Sequence, residues 1–192
     1  TSVSRGLGDV YKRQEYALSQ MVRCGIVFIS LRRGSTKPSM FAKEQYQLLD
    51  FGEGRRLERF GEFILDRPSV AAEGMPKQQA ELWSSAHATY IRRGANEGAW
   101  QSANQMPLSW KIQHENCDLE LKLTDFGHVG VFPEQSGNWD WMTRQLKSTD
   151  ETLKVLNLFA YTGGATLTGA ANGAEVVHVD SAQNSVLWAR RN

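Results

Sequence analysis

An apolar run from Leu153 to Ala160, interrupted only by Lys154 and Asn157, leads into Tyr161-Thr162-Gly163-Gly164. A small-residue segment, Ala165 to Asn172, follows, and then a second apolar run from Glu175 that ends in Asp180. Nucleoside recognition needs this succession. Glycines allow a ligand close to the backbone, a helix that starts after the turn offers unpaired N–H groups, and a strand-end carboxylate can accept hydrogen bonds from two ribose hydroxyls. Asp180 stands 17 residues after Gly163, close to the spacing of roughly 20 for a nucleoside-binding acid. The turn is not a dinucleotide fingerprint, because Ala165 and Thr166 stand where G-x-G-x-x-G requires glycine. No Gly-Lys-Ser/Thr phosphate loop is present either. A nucleoside ligand without phosphates fits better, and S-adenosylmethionine (SAM) is the common one. Two plainer readings compete: Asp180 as a cap for the next helix, and the glycine pair as a simple turn.

The elements that position these residues read as β-α-β-α, the opening of a parallel sheet. Strands over Leu153–Ala160 and 175–180 are expected to be buried on both faces. Helices are expected over Ala165–Asn172, stopped by Gly173, and after Ser181, whose hydroxyl could cap the second of them. Upstream, 46–51 and 55–60 form a hairpin about Gly52-Glu53-Gly54, and 63–65 is a third short strand. Pro76 opens a predicted helix carrying Ala80, Leu82, Trp83, Ala86, Tyr90 and Ile91, with Gly94 as its stop. The clearest hairpin joins 110–114 to 117–123 through Glu115-Asn116, with Leu119, Leu121 and Leu123 on one face and Glu120 and Lys122 on the other. A helix from about Glu134 to Leu146 places Trp139, Met142 and Leu146 on one side.

Other chemistry-bearing residues admit two readings each. His128 and His178 lack a carboxylate or cysteine partner at readable spacing, so structural roles are favoured over catalytic ones. Trp139 and Trp141 suit packing more than base stacking. Arg55, Arg56, Arg59 and Arg67 could meet RNA phosphates or form a solvated face with Glu53, Glu58 and Glu62.

Val155 to Gly164 resembles the first motif of class I SAM-dependent methyltransferases, in the form used by the ribosomal RNA large-subunit methyltransferase I-like family. Val179-Asp180-Ser181 with Trp188-Ala189-Arg190-Arg191-Asn192 is similar to the second motif and its helix. Leu57–Gly61, Leu65–Pro68 and Gly130–Trp141 resemble that family too, so the likeness covers about 46–192. It implies that Phe159, Ala160, Tyr161, Thr162 and Gly163 wrap the methionine part of SAM, that Asp180 binds the ribose, and that Ser181 lies near the adenine. Gln135 is the implied polar contact from the preceding block, where Glu134-Gln135-Ser136 replaces the family's Asp, Gln or His, and Arg. It also implies an RNA substrate, with ribosomal RNA cytosine carbon 5 as the expected acceptor, and a cytoplasmic setting. Such chemistry needs a thiolate nucleophile. The family's catalytic Pro-Pro and Cys segment follows later strands, and Cys24 and Cys117 precede the cofactor motif, so no catalytic residue is assigned. A chain ending at Asn192 is expected to be an inactive fragment with an unpaired strand edge. A nucleotide-dependent oxidoreductase and a non-catalytic RNA-binding module are the alternatives.

Composition agrees with a globular chain: 192 residues, 41% hydrophobic, 22% charged. The net charge of +1 conceals an asymmetry. Residues 1–45 carry eight bases against three acids, whereas 46–192 carry 14 against 18. Two cysteines support neither a disulfide framework nor a zinc site. The apolar run Cys24–Leu31 is too short to span a membrane, and no metal is expected. Residues 1–14 resemble translated adapter sequence, 1–45 form a doubtful extension with Met21 or Met40 as possible starts, 46–132 form a small β-rich α+β module, and 133–192 begin a Rossmann-like domain.

Overall fold

The computed structural model describes residues 41–94, 97–102 and 106–192. The adapter-like segment, Cys24, and the possible starts Met21 and Met40 lie outside them.

The first sheet grows from alternation and tight turns. Strands β1 (Tyr46–Gly52), β2 (Arg55–Phe60) and β3 (Phe63–Pro68) are consecutive antiparallel neighbours. Glu53 and Gly54 close the first hairpin, both at positive φ (53° and 72°), as a two-residue hairpin turn of matching twist requires. β4 (Ala88–Arg92) then joins β3 in parallel, and β5 (Gly98–Ser102) pairs antiparallel with β4. The order is β1-β2-β3-β4-β5.

The helix expected from Pro76 is not formed. Ala80–Ser85 is a short 3-10 segment, and Tyr90 and Ile91 belong to β4. Ala88-Thr-Tyr-Ile is rich in residues that suit a strand, and Ala88 and Tyr90 alternate into the core. Their helical spacing to Trp83 was coincidental. His87 locks the entry, donating its N–H to Ile64 O and accepting the Ile64 N–H at Nδ1.

The hairpin β6 (Trp110–His114) and β7 (Cys117–Leu121) forms in the expected register, with Leu119 and Leu121 buried. Helix α1 (Ser136–Leu146) follows a 3-10 turn at Pro133–Gln135. Then come β8 (Lys154–Leu158), α2 (Gly164–Ala171), β9 (Glu175–Val179) and α3 (Gln183–Ala189), with β8 and β9 parallel. Leu156 and Val177 are exposed, contrary to the expectation of burial on both faces. The opposite alternation of β8 and β9 carries Asn157 and Val176 against α2, and α2 covers that side alone. One core runs from the first sheet (Phe60, Leu65) through the hairpin (Ile112, Leu119) to Trp139 of α1. It therefore crosses residue 132, where the two modules expected from sequence meet. Among the described residues no helix is long and apolar enough to cross a membrane.

Two acids organise the first sheet. Glu58 is fully buried. It accepts Arg67 Nε at 2.8 Å and the Tyr46 hydroxyl at 3.0 Å, with Arg56 Nε 3.1 Å away. Arg55 pairs with Asp66 at 2.6 Å and donates to Tyr90 O. Arg67 is thus buried on Glu58, and Arg55, half-buried, is committed to Asp66 and the Tyr90 carbonyl. Asp50 fastens the 3-10 segment by accepting the Gln78 and Gln79 N–H groups and Trp83 Nε1 at 3.2, 3.0 and 2.8 Å. Burial pushes its carboxyl upward, but these three donors and the Phe51 backbone N–H outweigh burial and hold it below its ordinary value.

Glu58→Ala leaves the Arg67 guanidinium buried without its counter-charge. We expect a loss of about 3–5 kcal/mol in urea denaturation, and an unchanged midpoint would contradict the assignment. The Asp50 contribution is fully present above its unfolded pKa and lost as pH falls through the lowered folded value. Denaturation across acidic pH should show this loss in the parent and a flatter profile in Asp50→Asn, and identical profiles would refute it.

Candidate cofactor-binding site

The strand β8 ends in a turn of unusual backbone. Phe159, Tyr161 and Gly163 all lie in the left-handed region, at φ 57°, 49° and 95°. Glycine adopts this freely. For Phe and Tyr it costs of order 1–3 kcal/mol each and persists only where the surroundings enforce it. Several bonds do so. Ala160 N–H reaches Val179 O at 3.0 Å, and Gly163 N–H closes onto Ala160 O at 3.0 Å. Asp180 Oδ2 accepts the Tyr161 N–H at 2.8 Å, and the buried Thr162 hydroxyl donates to Gly130 O.

Asp180 also accepts the Ala182 N–H through Oδ1, at 2.8 Å. It therefore tethers the turn and begins the next helix with the same carboxylate. Ser181 does not cap α3: the cap position is Ala182, without a side-chain bond. Asp180 instead accepts the amide of that cap residue, just before α3 begins. A carboxylate has about four acceptor sites, so these two bonds leave capacity for hydroxyl donors.

The turn faces a cleft of about 410 Å³ lined by Phe132, Gln135, Trp139, Phe159, Tyr161 and Thr162, among others. Ala160 lines it too. Gly163, Asp180 and Ser181 do not: Gly163 supplies the bend, Asp180 lies behind Tyr161, and Ser181 is exposed. A second concavity of about 540 Å³ opens on the other side of Tyr161, with His128, Phe126, Ala182 and Trp188 on its wall. Gln135 Oε1 accepts from Asn138 Nδ2 at 2.8 Å. Phe132 packs on Tyr161 at 5.0 Å between ring centroids.

Gly164 and Ala165, at the start of α2, line the cleft. No side chain caps that helix, so its first N–H groups and positive dipole end suit a carboxylate ligand. Gly164 has a packing reason to be glycine: a Cβ there would run into the Trp139 ring. Trp139 is thus both core and cleft wall, which the tryptophan spacing alone did not disclose. His178 Nδ1 meets Thr166 Oγ1 at 2.8 Å, and Thr166 accepts Asn157 Nδ2 at 2.9 Å, which is a structural network. Burial, then Arg67, Arg56 and Arg92, lower the His128 pKa. Burial raises that of the Tyr161 phenol, with Asp180 adding to the effect against the Gly130 hydrogen bond and Arg67. Among the described residues, no cluster of three or more His, Cys, Asp or Glu could hold a metal.

No family model matches the chain. It is 33% identical to the crystal structure of the SAM-dependent methyltransferase from Agrobacterium tumefaciens, with a TM-score of 0.74, covering 86% of this chain and 55% of that one. In sequence and in fold the chain is therefore similar to SAM-dependent methyltransferases. The curated relatives it matches are named for ribosomal RNA. The ribosomal RNA large subunit methyltransferase K/L of Magnetococcus marinus is 34% identical over 82 residues, 42% of this chain and 11% of the relative. The protein of that name from Pseudoalteromonas atlantica is 26% identical over 141 residues, 73% of this chain and 18% of the relative. The chain thus spans less than a fifth of the length of either. A structure named as the methyltransferase SMU.776, complexed with S-adenosylhomocysteine (SAH), shares the fold at 19% identity and a TM-score of 0.58, over 77% of this chain and 41% of that one.

Gly164→Ala must displace the Trp139 ring. Overpacking of this kind costs about 1–3 kcal/mol, so a thermal melt followed by tryptophan fluorescence should move down by several degrees. An unmoved melt would show that the ring is not seated on Gly164.

Proposed function

We propose that the chain binds SAM across the Phe159–Gly163 turn and serves an RNA methyltransferase of the cytoplasm. The strained turn tethered to the carboxylate of Asp180 carries this reading. When bound, SAM supplies an electrophilic methyl on its sulfonium. The first N–H groups of α2 receive the methionine carboxylate, the remaining acceptor sites of Asp180 receive ribose hydroxyls, and Phe132 and Phe159 shield the cleft from water. Ser181, exposed next to Asp180 in the chain, is the contact proposed for the adenine edge, and Gln135 the polar contact at the methionine end.

Ribosomal RNA is the proposed substrate, supported by the names of the curated relatives. Transfer to cytosine carbon 5 would need a thiolate. Cys117, the cysteine among the described residues, is buried in the hairpin outside the cleft, and burial pushes its thiol up. It does not fill that role, so among the described residues the contribution is cofactor binding rather than the nucleophile.

Trp139 lines the cleft, so ligand binding is readable by tryptophan quenching. SAH should bind more tightly than NADH, and the reverse order would overturn the proposal in favour of a nucleotide-dependent oxidoreductase. Asp180→Ala should weaken SAH by about tenfold or more. Equal affinity would remove Asp180 from the site.

A further inference from the structure

We propose that Asn192 is a positioning residue that holds the cofactor turn in register with the β6–β7 hairpin. The proposal rests on SAM binding at that turn. The side-chain amide of Asn192 is used at both ends. Its Oδ1 accepts the backbone N–H of Glu120 in β7 at 2.7 Å, and its Nδ2 donates to the backbone oxygen of Thr162 at 2.8 Å. One partner can only donate and the other can only accept, so the amide has a single workable orientation.

The surrounding contacts converge on the same residue of β7. Trp188 Nε1 donates to Glu120 O at 3.0 Å, and Arg191 Nε meets Glu120 Oε2 at 2.8 Å. The end of α3 therefore grips the Glu120 backbone on both sides and its carboxylate as well. Of these contacts, only the Asn192 amide continues to the turn. Thr162 lies between two left-handed residues, Tyr161 and Gly163. Its hydroxyl is held by Gly130 O and its carbonyl by Asn192. That carbonyl shares its peptide with the Gly163 N–H, which closes onto Ala160 O at the residue just before α2. Asn192 does not itself line the cleft but bonds to Thr162, which does, so it acts through the turn and not on the ligand.

The test compares SAH affinity with thermal stability in the parent and three variants. Asn192→Ala removes both hydrogen bonds. Asn192→Asp keeps an acceptor for the Glu120 N–H and loses the donor to Thr162. Glu120→Gln weakens the Arg191 pair and leaves both backbone contacts in place. Affinity is measured well below every melting temperature. Asn192→Ala and Asn192→Asp should both weaken SAH about tenfold, while Glu120→Gln lowers the melt and leaves affinity at the parent value. Parent-like affinity in Asn192→Asp, or equal loss in all three variants, would overturn the positioning role. A folded parent that fails to bind SAH would instead overturn the cofactor reading on which the role depends.

Discussion

The turn from Phe159 to Gly163 holds two bulky residues in a backbone region that costs them energy, and much of the structure is arranged to keep them there. Restraint comes from three directions. Asp180 holds the Tyr161 amide from the end of β9, Gly130 holds the Thr162 hydroxyl from the segment before α1, and Asn192 holds the Thr162 carbonyl from the end of α3. None of these lies on β8 itself. The shape of the site is therefore a property of the tertiary fold, and the strain is affordable only because the elements around it are rigid.

That rigidity traces to a core shared along the chain. Trp139 connects the hairpin and first sheet to the turn, because it packs in the same cluster as Phe60, Leu65, Ile112 and Leu119 and seats its ring where Gly164 lacks a side chain. Glu58 contributes at a distance. Its carboxylate gathers Arg67, Arg56 and Tyr46, and Arg67 in turn reaches Gly127 O, near the loop that supplies Gly130. The β-rich portion thus acts as a brace for the Phe159–Gly163 turn.

Much of this was legible in the residues. The hairpins were, because alternation and turn glycines are local signals, and so were the glycine turn and Asp180, because their spacing reflects one β-α-β unit. Other features depended on context. The residues of β4 read as helix since three-to-four spacing and alternation coincide over so few positions, and β5 carries no alternation to read. The apolar runs of β8 and β9 suggested two-sided burial, whereas α2 covers one side and Leu156 and Val177 remain exposed. The arginine cluster could not be divided from sequence, because the partners of Arg55 and Arg67 lie across neighbouring strands. The grip of α3 on Glu120 joins residues about 70 positions apart, which no local pattern announces.

The central claim is that this tethered turn is a SAM-binding surface with Asp180 at the ribose. The most direct measurement is a crystal structure of the chain with SAH. The account predicts the ribose hydroxyls on the Asp180 carboxylate, the methionine carboxylate at the first N–H groups of α2, and Phe159 and Tyr161 still left-handed. Density for SAH elsewhere, or a turn that relaxes to ordinary backbone when the ligand binds, would contradict it.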